Sequence, residues 1–543
     1  MKPTSQKRPS IGNAPLGIDF GTTNSAISRY AKTIMRCSPE NLNFPLTGNF
    51  LYPSIAFLDD NSNCIRTGNA ALNKRFTNAE RVVSSVKRII SGDERYELNG
   101  RTYSNADIVT KIISDFIGEI KLTDHEMQPQ VIVVTVPYYF GENENAVIKF
   151  AAEKAVLEQF NYSPKMFLLP EPVAASLACM YGFPDNESLI NKIIFIYDIG
   201  GGTLDLTLVR ISKTKDSFAY EILANDGIAN FGGDDIDNLL YDYVLSHERI
   251  DMSNLNPCDR KRNRARILDE CTQVKHNLSS SENTTFMCTN LIGLDVDYIE
   301  INLSRDILDT LLCGQRGSTR NMFKELTECV ESLYAKAKIN RDDVDYILPI
   351  GGTSYVPLFR QQMAALHRHA EEIVAKDQNN SCYGVVANGA CIYGAMKSDE
   401  LFHTDYHPFS TQHSIERMKT RISHSLFLKK YNDKLDLLIE ANTLAPVQVE
   451  KIYFPSKFQN NGELVDLDSV RLFQGQGFSR KKGNDIGGID FTHHKIYSHG
   501  RKLDEIPIHL VFEVTDTLVQ VRCTIPKSDK DGKDICFTQT ISQ

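Results

Sequence analysis

The sequence predicts an α/β protein of two similar halves, followed by a β-rich segment, and three observations lead there. Residues 16–27, LGIDFGTTNSAI, and residues 197–208, YDIGGGTLDLTL, carry one pattern 179 positions apart: an apolar run, an aspartate, glycine, then small hydroxyl residues. Between and beyond them, β-branched runs alternate with helically spaced segments up to residue 397. Towards the end the period changes to strand alternation, as in IHLVFEV (508–514) and LVQVRCTI (518–525) with TDT between them.

Each element has a local reason. VIVVTVP (131–137) is the near-continuous β-branched run of a buried strand. Behind it, Val147, Phe150, Ala151 and Ala155 share one face of a helix. FGGDDIDNLLYDYV (231–244) reads as a glycine turn opening a helix, with Asp235 in its first turn. YILPIGGTSYVP (346–357) is strand, Gly-Gly turn and helix, the helix continuing through LFRQQMAALHRHAEEI. RKRNRAR (260–266) is a solvated helix face.

The bulk numbers bound the function. At 543 residues the chain exceeds one hydrophobic core, so about two to four domains are expected. A net charge of −9, from 60 Lys and Arg against 69 Asp and Glu, argues against a nucleic-acid binder. No apolar run is long enough to span a membrane. MKPTSQKRPS is polar and basic with no apolar region behind it, so it is not read as a secretory signal. The 12 cysteines are scattered, without CxxC or metal-like spacing, and are expected to be reduced in a cytoplasmic protein.

The chemistry lies in the paired turns. Glycine inside a strand costs order and packing, so it belongs where something approaches the backbone. Backbone N–H groups of glycine-rich turns form anion sites, and Thr22, Thr23 and Thr203 can add hydroxyl donors. Carboxylates beside phosphates make sense once Mg²⁺ is included, since it keeps most of its waters and takes one or two carboxylates plus phosphate oxygens. Asp19 and Asp198, one from each half, meet that need, and Gly351–Gly352 would let a flat ring or ribose lie close.

These residues resemble the seventy-kilodalton heat-shock (Hsp70) chaperone family, in the actin and sugar-kinase superfamily. GIDFGTTNS (17–25), VKRII (86–90), VTVPYYF (134–140), PEPVAASLACMYG (170–182), YDIGGGTLDL (197–206), FGGDDIDN (231–238), HNLSSS (276–281) and IGGTSYVP (350–357) follow the family's order. The resemblance implies a two-lobed, actin-like, duplicated ribonuclease-H-like ATPase domain over 15–397. A flexible N-terminus (1–14) would precede it. A linker (398–412) and a β-sandwich, peptide-binding-like domain (413–543) without a helical lid would follow. DYHPFS (405–410) resembles the opening of that domain and VRLFQGQ (470–476) a later strand, while 479–504 reads as a loop insertion.

The implied ligands are ATP or ADP with Mg²⁺. Asp19, Asp198 and Asp205 would arrange the metal and its waters. Gly21, Thr22, Thr23, Gly200, Gly201, Gly202 and Thr203 would meet phosphates. Lys87 would reach the γ-phosphate and Glu171 would place the attacking water, with Asp198 and Thr203 completing the catalytic set. Gly232, Gly233, Lys275, His276, Ser279, Gly351, Gly352 and Tyr355 would complete the nucleotide-binding set. Phosphoryl transfer needs mostly positioning and charge neutralisation, which these residue types supply.

The chain departs from the family in telling places. His276 and Tyr355 stand where two arginines flank adenine, and Thr272 where a glutamate contacts ribose. The linker leucines shrink to Leu401 and Phe402. Pro137 is kept, but Asn145 replaces a signalling arginine, and Phe167 replaces an arginine used with J-domain co-chaperones. Loss of that bidentate cation implies a weak or absent J-domain response. The expected function is a slow, Mg²⁺-dependent ATPase coupled to binding of extended apolar peptides, with a nucleotide-exchange factor as a partner. Its alternative is a nucleotide-sensing scaffold with marginal hydrolysis and one dedicated protein partner.

Overall fold

The computed structural model describes residues 13–32, 37–90, 92–125, 127–138, 140–182, 189–213, 217–296, 298–373, 383–404, 406, 414–419, 425–429, 435–440, 443, 447–455, 457–458, 464–466, 470–475, 484–491, 494–514 and 519–541. They separate into two compact units. The first lies within 1–138, 147–218 and 225–416, and the second within 139–146, 219–224 and 417–543. Most of the N-terminal stretch 1–14 and of DYHPFS lies outside the described residues.

The repeat is two sheets of one design, which lie within the first unit except for residues 219–224 of one strand. In one sheet, β1 (Leu16–Asp19), β2 (Asn24–Lys32), β3 (Cys37–Asn41), β4 (Val131–Val136) and β5 (Lys165–Pro170) run in the order β5-β4-β1-β2-β3. In the other, β6 (Ile193–Ile199), β7 (Leu204–Lys213), β8 (Ser217–Ile228), β9 (Tyr346–Ile350) and β10 (Glu371–Glu372) follow β10-β9-β6-β7-β8. Each leading strand pairs antiparallel with the next strand in sequence and parallel with a distant one. β1 does so with β2 and β4, and β6 with β7 and β9. The two glycine turns therefore occupy the same place in the two sheets.

Helices α1 (Glu171–Gly182), α2 (Gly233–His247), α3 (Pro257–Ser280) and α4 (Val385–Phe402) frame these sheets. Two glycines set how closely they pack. A Cβ on Gly17 would lie 2.2 Å from the Cys391 backbone nitrogen, and one on Gly389 would lie 1.7 Å from the Ala174 carbonyl oxygen. α4 rests on β1 and α1 through those contacts, and side chains larger than hydrogen would force them apart.

Several expectations change on contact with the structure. The helix after β4 buries Ile148, Ala151, Ala152, Ala155 and Val156, while Phe150 is 58% exposed. The true stripe is one step out of phase with the expected face, and its small alanines allow close packing. The helix after Gly-Gly ends at Leu366, because His367 turns inward and Glu371 returns to pair with Tyr346. α4 continues through Phe402, so residues 398–402 of the expected linker are helical, with Ser398 buried.

In the second unit, β11 (Ser425–Lys429), β12 (Leu435–Ile439), β13 (Val447–Tyr453), β14 (Val470–Gly475), β15 (Asn484–Ile489), β16 (Ile508–Val514), β17 (Val519–Ile525) and β18 (Ile535–Ile541) form two four-stranded sheets. Their orders are β12-β11-β14-β15 and β13-β16-β17-β18. Their inner residues, among them Leu428, Leu472, Leu510, Phe512 and Val521, merge into one core. Region 479–504 is no simple loop, since Ile489 and Ile496 are buried in that core despite their Gly-, Lys- and His-rich neighbours. The described cysteines are free, and among the described residues no helix is long and apolar enough to cross a membrane.

Candidate functional site

A cleft of about 1030 Å³ opens in the first unit. The matched turns bring Asp19, Gly21, Thr22, Thr23, Asp198, Gly200, Gly201 and Thr203 to its wall, as the repeat implied. Asp19 ends β1 and accepts a hydrogen bond from Thr135 Oγ1 (3.3 Å). Asp198 and Asp205 sit opposite each other in the β6–β7 register. Lys87, on the short turn Val86–Ile89, and Glu171, the first residue of α1, form a buried ion pair in the same cleft.

The electrostatics are those of crowded acids. Burial, then the Glu171 carboxylate, pushes the Asp19 and Asp205 carboxyls up. Burial, then Glu171, Asp205 and Asp19, raises Asp198 as well. Burial by itself would lower Lys87, but Glu171, Asp19 and Asp205 outweigh it and keep the ammonium protonated. The site thus holds more latent negative charge than the Lys87 ammonium offsets.

Glycines let the second turn be packed from every side. A Cβ on Gly201 would fall 2.0 Å from Thr23 Oγ1, so the two turns nearly touch. The Gly232–Gly233 loop docks on the Gly200–Gly202 turn through Phe231 N–H to Gly202 O (3.1 Å), Gly233 N–H to Gly200 O (3.0 Å) and Asp234 N–H to Gly201 O (2.7 Å). At Gly232 a Cβ would meet the Gly201 backbone at 2.6 Å. At Gly200 it would meet nothing within 4 Å, which leaves that backbone open.

The remaining candidates divide. Gly233, Lys275, His276, Ser279, Gly351 and Gly352 line the cleft, together with Thr272. Lys275 donates to Gly233 O (2.9 Å) and pairs with Asp237 (2.8 Å), which also accepts from Thr272 Oγ1 (2.8 Å). Burial and Lys275 lower His276, favouring its neutral form. Gly202, Asp205, Gly232 and Tyr355 are not on the cleft wall. Asp205 is in register with the wall residue Asp198, Gly202 follows the wall residue Gly201, and Gly232 packs on Gly201. Tyr355 is directed elsewhere, its ring 5.4 Å from the Arg360 guanidinium.

Sequence reading missed several wall residues. Arg88 donates to Gly202 O (2.6 Å) and Asp235 (2.8 Å), clamping the glycine turn, and its only sequence signal is its place beside Lys87. Arg75 pairs with Asp269, and both line the cleft. Tyr383 lines it against Gly352, whose Cβ would lie 3.0 Å from the tyrosine ring. From RKRNRAR, Lys261 and Arg264 reach the wall, and Arg264 also covers the Tyr241 ring at 4.5 Å.

The residues fit a magnesium–phosphate ligand. Carboxylates raised by burial and by neighbouring carboxylates are relieved by a divalent cation, the donors are all oxygen, and the Gly200 backbone is open to an anion. Among the described residues no group of three or more His, Cys, Asp or Glu could hold a metal ion.

The comparisons with known proteins point the same way. The family model described as Hsp70 protein matches residues 15–453. The chaperone protein DnaK of Ureaplasma urealyticum serovar 10 is 28% identical over 488 residues, covering 88% of this chain and 71% of that protein. DnaK of Mycoplasmopsis agalactiae is 28% identical over 477 residues, covering 85% and 69%. With its matched turns, the buried Lys87–Glu171 pair and a family model spanning most of its length, the chain belongs to the Hsp70 family.

Proposed function

We propose that this protein is an Hsp70-like chaperone with an actin-like ATPase domain. It binds ATP with Mg²⁺ in the cleft, hydrolyses it slowly, and couples nucleotide state to the β-sandwich unit's hold on extended apolar peptide segments. The observation that carries this reading is the convergence of two acid–glycine–threonine turns on one buried lysine–glutamate pair. The relatives bearing the name chaperone protein DnaK support it.

Asp19, Asp198 and Asp205 would hold Mg²⁺ through its waters, and the ion supplies positive charge to the phosphates. Thr22, Thr23 and the Gly200–Gly202 backbone orient the phosphate chain. Lys87 adds charge at the γ-phosphate. Glu171, fixed by Lys87, accepts a hydrogen bond from the water, whose oxygen forms the new P–O bond as the bond to the bridging oxygen breaks. Catalysis by position and electrostatics is what such chemistry asks for. An exchange factor and a cytoplasmic setting complete the proposal.

The test is Mg²⁺-dependent phosphate release by wild type and Lys87→Ala, with and without an apolar peptide. Slow turnover that peptide raises and Lys87→Ala abolishes is expected. The scaffold reading is favoured by Phe167, which meets Tyr393 edge-on at 6.2 Å with the Lys397 ammonium 5.8 Å away, a surface unlike a lone arginine. Tight ATP binding without turnover, or turnover blind to peptide, would select it.

A further inference from the structure

We infer that Tyr383, rather than Tyr355, is the aromatic wall of the base slot, so that this chain grips a purine base by ring stacking between Tyr383 and His276. The inference rests on the nucleotide reading above and names the residues that would set its affinity and base preference.

The cleft has a direction. Its phosphate end is marked by Lys87, Glu171 and the paired turns, and beside that end Thr353 Oγ1 donates to Gly200 O (2.8 Å) and Lys275 Nζ to Gly233 O (2.9 Å). One residue beyond Lys275 comes His276, then Ser279 one turn further along α3. Gly352, also on the wall, follows Gly351, whose Cβ would lie 2.5 Å from Asp198 Oδ1. The Tyr383 ring lies against Gly352. His276 and Tyr383 thus give the cleft wall an imidazole and a phenol ring.

The rival stacking groups are placed elsewhere. Tyr355 is off the wall and engaged with Arg360. Arg264 and Lys261 do line the cleft, but at 1.5 Å per residue they lie about 18 Å and about 22 Å along α3 from His276. Arg264 is moreover held by Asn238 Oδ1 (2.5 Å) and the Tyr241 ring. Gly352 matters here because only a residue without a side chain lets the Tyr383 ring come this close to the turn.

The experiment uses the full chain, which contains no tryptophan, so Tyr383→Trp installs a single reporter. Calorimetry with Mg²⁺ and ADP should show affinity falling about tenfold in Tyr383→Ala, the scale of one base–ring stack. Tyr383→Phe and Tyr355→Ala should stay within about twofold of wild type, as ring stacking rather than a hydroxyl is invoked. ADP should quench the indole emission of the Tyr383→Trp variant, and inorganic pyrophosphate should not. Tyr383 is half exposed, so its truncation leaves the core intact. ADP binding with unchanged emission, or a larger loss in Tyr355→Ala than in Tyr383→Ala, overturns the inference and spares the nucleotide reading. Absence of any ADP binding by wild type removes both.

Discussion

Around Phe512, Leu510 and Val521 the second unit packs only apolar neighbours, and among the described residues its buried polar side chains are three serines, Ser425, Ser498 and Ser528. The first unit instead buries Lys87, Glu171, Asp205, Asp237 and Lys275 around one cleft. Buried charge costs stability unless it is paired. A unit that holds so much of it is arranged for a ligand that completes the pairing. A unit with an apolar interior gets stability from its core and must keep any binding function on its edges and loops.

The sharpest way to break this comparison is Lys87→Ala. It leaves Glu171 buried without its partner and strips positive charge from the phosphate end of the cleft. Turnover should fall about 100-fold or more, on the scale of a lost preorganised electrostatic contact. Removing half of a buried pair should also cost the first unit about 3–5 kcal/mol. Phosphate-release kinetics and chemical denaturation check both, and wild-type turnover in the variant would sink the charge-pair argument.

Phe512→Ala probes the other interior. The side chain is fully buried among aliphatic residues, so its loss should cost about 3–5 kcal/mol in the second unit's unfolding transition. Calorimetric ADP affinity should stay at the wild-type value, because no cleft residue is touched. A parallel loss of ADP affinity would show that the two interiors are not energetically separate.

What was legible in the sequence follows the same division. Asp19 and Asp198 could be matched because glycine within a strand is locally costly and twice repeated. Strand alternation around Phe512 was legible because one face of each strand meets only apolar neighbours. Lys87 and Glu171 were legible only through the family pattern, since a lysine on a short turn and a glutamate between prolines signal nothing alone. Tyr383 was not legible, and Arg88 only as the neighbour of Lys87. Their positions depend on which distant backbone they meet, Gly352 for one and Gly202 for the other. Phe150 misled because a large apolar residue outweighs alanine in any pattern, whereas close helix packing favours alanine.

A finer test addresses the glycine docking. In Gly232→Ala the new methyl would lie 2.6 Å from the Gly201 backbone, which cannot rotate aside, so the phosphate turn must shift. ADP affinity should fall by about tenfold, the size of effect expected when positioned donors move. The second unit's unfolding should not change. Wild-type affinity would mean that the Gly232–Gly233 loop, and not the phosphate turn, absorbs the methyl.

The smallest expected effect concerns pH and the one imidazole that the first unit buries deeply among the described residues. His367 is 2% exposed, stacks on Phe195 at 4.4 Å, and shares a 2.6 Å hydrogen bond with the Tyr334 hydroxyl. Burial, with the nearby Arg341 charge, lowers its pKa. A group held neutral by folding contributes stability that is complete above its unfolded pKa, about 6.5, and that is lost as pH falls through that value. The raised Asp19, Asp198 and Asp205 tilt the opposite way, because the folded state then binds their protons more readily as pH falls. The difference between wild type and His367→Gln isolates the imidazole. The variant should melt lower than wild type at pH 7.5, with the gap narrowing by pH 5.5 because glutamine has no proton to gain. The second unit's transition should not move in either protein, since it buries no histidine, carboxylate or lysine among the described residues. A gap that stays constant across this range would mean that His367 matters for its shape alone.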